Sequence, residues 1–338
     1  MFDRSPLALP ALLALALLHP LGANAQNTCL VCSMRFEEDV VLDFTDAPAS
    51  PTPDITVVEL HNGTFALTSP ASTGIEIFLH DSEGRFIRSI GTEGEGPGEF
   101  AGSPRIGVPM TEGFLAHDAT LERLHFIGND GDVQWTQRMP IVSTRIHRAG
   151  QNLIGTGMAS DQGVVYGMMV AALDPEGTDR EVQVLRHSLE LDQTGQRPDW
   201  HHVGTDHFHV WAMRESGGPL YMLDQEGLVI TTYNVPLESI PGADDEPTIL
   251  GIGTGEHVVW IHQVAAIPED QRSATGEPLM GEVGTRITAY DPNARQIVAT
   301  EWLEGMVRPV NMNRVVQAIP EPTGGFRITV GDLRLRER

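Results

Sequence analysis

The densest set of side chains able to do chemistry in this chain is Trp200-His201-His202-Val203-Gly204-Thr205-Asp206-His207-Phe208-His209. Imidazole nitrogens and carboxylate oxygens ligate zinc, and calcium takes the oxygens. If Phe208 lies in a strand, the period of two sends His207 and His209 to one face, near enough to share a metal with a third group. Asp206 or His202 could complete it. His207, His209 and Asp206 are therefore the candidate metal ligands, for calcium or zinc, and His201, His202, His207 and His209 the candidate binding set. The competing reading is that these histidines are merely exposed or hydrogen-bonded, since the spacing fits no zinc signature and an acidic surface raises histidine occupancy without function.

Other motifs exclude more than they offer. No G-x-S-x-G, H-E-x-x-H, Walker or EF-hand pattern occurs, and the acidic residues are too numerous for any one pair to be singled out as catalytic. Cys29-Leu30-Val31-Cys32 lacks the following histidine of a haem-attachment motif. A local disulfide between Cys29 and Cys32 is the expected fate in an exported chain.

The elements that must position these groups are strands. In the run 74–100, Ile75, Ile77 and Leu79 alternate with Glu76, Phe78 and His80, Asp81-Ser82-Glu83-Gly84 makes a tight turn, and Phe86, Ile87 and Ile90 return. The return strand ends in Gly91, Gly94, Gly96, Pro97 and Gly98, too glycine-rich to stay in a ladder. Strands over 55–60 and 64–68 flank Asn62-Gly63, the strongest short hairpin signal. Four strands between 55 and 90 make one propeller blade. Copies follow at 107–118 and 123–131. Later turns, Asp192-Gln193-Thr194-Gly195 and Asp224-Gln225-Glu226-Gly227, share the Asp-x-x-Gly form, and Tyr290-Asp291-Pro292-Asn293 is similar. The segments 174–180 and 265–284 read as rim loops. The stretch 326–335 supplies strands of a sixth unit without an outer one, and an orphan strand at 38–45 is expected to fill that place and close the ring.

The chain has 338 residues with 46 acidic against 22 basic, a formal charge of -24, which makes nucleic acid an improbable partner. The apolar run 7–18 followed by Ala23-Asn24-Ala25 reads as a cleavable leader, too short to span a bilayer. The expected domains are a signal peptide at 1–25, a tail with the cysteine pair and closing strand at 26–53, and a six-bladed β-propeller at 54–338. The product is expected to be exported, to the periplasm or beyond, without a transmembrane anchor, as a monomer.

The run I-E-I-F-L-H-D-S-E-G-R-F-I-R-S-I-G-T-E-G-E-G-P-G-E-F resembles the unit of NHL-like six-bladed β-propellers, especially secreted bacterial ones of unassigned function. The resemblance covers 55–133 and is faint beyond. It implies that Asp118 and Arg123 are framework residues joining adjacent blades. Gly96, Pro97 and Gly98 belong to a blade connection, since that run lacks lysine and carries three acids where a phosphate loop would not.

Family likeness implies fold and not activity. The first functional expectation is a non-catalytic propeller binding a protein or small ligand through rim loops or central channel. A channel floor where three or more histidines or carboxylates converge on one point would count against it. The alternative is a metal-dependent hydrolase or lyase with its site at the channel.

Overall fold

The structure is a computed structural model and describes residues 32–69, 74–96, 98–191, 199–237, 248–266, 283–322 and 324–337. The leader, Cys29, Pro97, the turn 192–195 and most of the loop 265–284 lie outside the described residues. Among the described residues there is no helix, and hence none long and apolar enough to cross a membrane.

A first strand, β1 (Cys32–Leu42), precedes the units. The first blade is β2 (Thr56–Glu59), β3 (Phe65–Thr68), β4 (Ile77–His80) and β5 (Phe86–Ile90). A short parallel pair, β6 (Thr92–Glu93) and β7 (Glu99–Phe100), leads to the second blade, β8 (Arg105–Met110), β9 (Gly113–Asp118), β10 (Arg123–Gly128) and β11 (Val133–Arg138). The third is β12 (Val142–Ala149), β13 (Asn152–Asp161), β14 (Val164–Ala172) and β15 (Gln183–Glu190). The fourth is β16 (His201–Thr205), β17 (Val210–Arg214), β18 (Gly217–Leu223) and β19 (Val229–Tyr233). The fifth is β20 (Thr248–Thr254), β21 (Val259–Ala266), β22 (Val283–Asp291) and β23 (Gln296–Glu304). The last blade contributes β24 (Met306–Asn311), β25 (Arg314–Pro320) and β26 (Phe326–Glu337), and its fourth strand is β1. The fold is thus an all-β, six-bladed β-propeller.

Closure is antiparallel and in the expected place: Val40 faces Val330, Val41 faces Thr329 and Leu42 faces Ile328. The closing strand starts earlier than the apolar pattern at 38–45 suggests, because Met34 and Cys32 are also buried, against the fifth and sixth blades. Arg314 on β25 fastens the ring. It reaches Asp39 of β1 at 2.6 Å, Glu59 of β2 at 2.8 Å and Asp332 of β26 at 3.5 Å. Gly84 completes the seam. Its φ of +84° and the approach of the Val41 carbonyl both exclude a Cβ, while its own carbonyl accepts from Asp43 N at 2.8 Å.

The Asp-x-x-Gly turns at 81–84 and 224–227 share one geometry. Asp81 Oδ1 accepts from the amides of Glu83 and Arg85, and Asp224 Oδ1 from those of Glu226 and Leu228. Each aspartate satisfies the amides of a turn that must then pass through a left-handed glycine. The apolar alternation goes into cores between blades rather than within one. Ile77 and Leu79 of the first blade pack with Phe114 and Ile127 of the second, and six such clusters run around the ring. Every blade is stabilised by its two neighbours, so the outermost strand of the last blade matters to the whole ring.

Candidate functional site

The six inner strands are β2, β8, β12, β16, β20 and β24, each packed on the next around the axis. Glycine lets them approach. A Cβ at Gly107 on β8 would collide with the Ile146 carbonyl of β12, and one at Gly204 on β16 with the Ile252 carbonyl of β20. Between the strands lies a cavity of about 440 Å³ with residues of all six in its wall.

Where the inner strands begin, the channel is cationic. Arg105 opens β8, Arg308 stands near the start of β24, and Arg145 projects from β12. Arg308 Nη2 pairs with Asp54 just before β2 at 2.9 Å. Arg145 lines the cavity and has no hydrogen-bond or ion-pair partner among the described residues, with its Nη2 shut off from solvent. Burial, reinforced by the charges of Arg308 and Arg105 and opposed by Asp54, lowers the Arg145 pKa to about 9. Burial also lowers that of Arg308, against the pull of Asp54.

Three histidines border this charge. His147 also lines the cavity, and burial with the charge of Arg145 lowers its pKa to about 3. His202 on β16 is lowered to about 3 by burial and then by Arg145 and Arg308. His262 on β21 is lowered to about 4 by burial, although its ring nitrogen Nδ1 lies 3.1 Å from the Val307 carbonyl. A carbonyl only accepts, so Nδ1 carries the proton and Nε2 of His262 is a lone pair. His147 and His202 have no such restraint, and the Nε2 of each is enclosed without a partner. Among the described residues these side chains do not form a group of three or more able to hold one metal ion.

The histidines singled out in the sequence divide. His202 joins the channel cluster, and His207 lines the cavity. His201 is buried beside Tyr221, with ring centroids 6.2 Å apart, and burial lowers its pKa to about 4. The premise that Phe208 sits in a strand does not hold: it is in the turn between β16 and β17, 71% exposed, so alternation does not align His207 with His209. Asp206 is engaged by that turn, its Oδ1 accepting from the amides of Phe208 and His209 at 2.7 Å and its Oδ2 from Trp211 Nε1 at 2.9 Å. His209 Nδ1 lies 3.5 Å from the same carboxylate.

Asp118 is fully buried and accepts from Ala101 N at 2.6 Å and Thr120 N at 2.9 Å, while Arg123 donates to the Glu95 carbonyl. Both grip the connection from first blade to second, geometry that suits framework residues. Within it Gly96 N donates to Glu99 Oε2 at 2.7 Å, and Gly98 has a φ of +81°. Cys32 is disulfide-bonded, and the chain's other cysteine, Cys29, lies outside the described residues.

Sequence reasoning missed Arg105, Arg145, Arg308, His147 and His262. The available signal was an arginine within inner-strand segments of three blades, in P-R-I-G, T-R-I-H and V-R-P-V. It becomes legible only once blade register is known.

No family model and no curated protein matches this chain. Among solved structures it is similar to a candidate exported protein from Bacteroides fragilis, at 11% identity and a TM-score of 0.57, covering 90% of this chain and 95% of that one. A member of the DUF4221 family from Bacteroides vulgatus is similar at 10% identity and a TM-score of 0.57, covering 90% and 99%. At such identity the likeness is one of fold, and it agrees with the six-bladed propeller.

Proposed function

We propose that this chain is an exported binding protein that holds a small ligand in its central channel. The observation that carries the reading is the cavity itself, with residues of all six inner strands in its wall and among them Arg145, whose guanidinium has no protein partner among the described residues. Its volume of about 440 Å³ is in the range of small-molecule sites. Polar groups inside a fold are normally paired, so a guanidinium left unpaired in a cavity wall is the mark of a site completed by something else. Export is supported by the apolar run 7–18, by the disulfide at Cys32, which suits an oxidising compartment, and by the candidate exported protein of similar fold. Kinship with NHL-like propellers, suggested by the run 74–100, belongs to the same reading.

The test is a thermal-shift panel of small molecules on the purified protein and on Thr56→Trp. Thr56 is half-buried in the cavity wall, and an indole there fills the space. At least one compound should raise the melting temperature of the wild type and leave the variant unchanged. A panel that stabilises both proteins equally, or neither, would remove the reading.

A further inference from the structure

The charge of the channel runs against the charge of the chain. The protein carries 46 acidic residues against 22 basic ones, and several of its outer arginines find carboxylates: Arg85 meets Asp81, Arg138 meets Glu122, Arg327 meets Glu38 and Arg336 meets Glu37. Arg145, in the cavity wall with its Nη2 shut off from solvent, finds none. The carboxylates nearest the cavity are engaged elsewhere. Glu59 accepts from Arg314 at 2.8 Å, Asp206 is held by its own turn, and Asp54 pairs with Arg308. Where the inner strands begin, the channel therefore gathers Arg105, Arg145 and Arg308 around the carboxylate of Asp54, while Glu59 and Asp206 in its wall are held by other donors.

An enclosed guanidinium without a counter-charge is costly, and the cost is offset when an anion arrives with acceptor oxygens. A divalent cation in the same place would face three arginines. We infer that the channel takes a small molecule bearing a carboxylate, phosphate or sulfate group, bound by the unpaired guanidinium of Arg145 with the charges of Arg308 and Arg105 beside it. This assignment rests on the channel being the binding site and adds the chemical class of its occupant. Arg145 lines the cavity and has no hydrogen-bond or ion-pair partner among the described residues, so its guanidinium is free for the anion.

The probes are inorganic phosphate, sulfate and succinate, measured by calorimetry and thermal shift against sodium chloride of equal ionic strength, with calcium chloride and glucose as cationic and neutral controls. At least one anion should bind one to one and raise the melting temperature. Arg145→Met should weaken that binding about a hundredfold. Without anion the variant should melt no lower than wild type, since an unpaired buried charge has gone. Should the variant fail to fold, the wild type alone decides. Its anions should displace one another from a single site, while sodium chloride of equal ionic strength, calcium and glucose give no shift. Binding of anions unaffected by Arg145→Met or by Thr56→Trp overturns the inference, as do anions that fail to compete with one another. If only glucose, calcium or other non-anionic members of the panel bind, and Thr56→Trp blocks them, the channel remains the site and the anion assignment falls alone.

Discussion

Acid should unfold this protein well above the pH at which carboxylates titrate, and histidines inside the blades are the cause. His80, His117, His125, His201 and His262 are all enclosed, and burial lowers each pKa to about 4. In the unfolded chain each returns to about 6.5. Between those values the unfolded state binds more protons than the native one, so stability is complete above pH 6.5 and is lost as pH falls toward 4. At pH 5 each such histidine removes about 2 kcal/mol, and even with half of that lost to relaxation the five together remove on the order of 5 kcal/mol or more, comparable with a whole domain's stability. The carboxylates that accept turn hydrogen bonds, Asp43, Asp81 and Asp174, have lowered pKa values and keep their contribution to a lower pH. The assay is urea unfolding followed by circular dichroism at pH 7.5, 6.0 and 5.0. The midpoint should fall steeply over that range. In His117→Leu with Ser143→Ala, which removes a buried hydrogen-bonded pair together, it should fall less. A wild-type midpoint that is the same at pH 5.0 as at pH 7.5 would refute the argument.

Two further outcomes follow from the closure of the ring. Arg314→Met strands Asp39 and Glu59 across the seam and should lower stability by about 2 kcal/mol, read from chemical denaturation; a change under a few tenths would mean the hub is ornamental. Deleting residues 1–45 strips β1 from the last blade and leaves the edge of β26 open. The shortened chain should melt lower and associate through that edge, as sedimentation would show, whereas a monomer of unchanged melting temperature would show that the ring does not need its closing strand.

Architecture was legible in the chain because it is written locally. Alternating Ile77 and Leu79, the Asn62-Gly63 hairpin and the aspartate-glycine turns at 81–84 and 224–227 each specify a strand or a reversal from a few adjacent residues. The missing outer strand of the last unit and the orphan strand at 38–45 could be matched by elimination. The site was not written that way. His201 to His209 looked like a ligand cluster because they are neighbours in sequence, yet a strand and its turn scatter them: His201 between sheets, His202 and His207 toward the axis, His209 against Asp206.

Arg105, Arg145 and Arg308 lie far apart along the chain and meet because the inner strands of three different blades converge on one axis. Short-range patterns decide which residues form strands and where the chain turns, since those depend on dihedral preference and the period of two. Which side chains share a channel depends on how many sheets close the circle and on the register of each inner strand. Those are set by contacts between blades, and only the folded ring contains them.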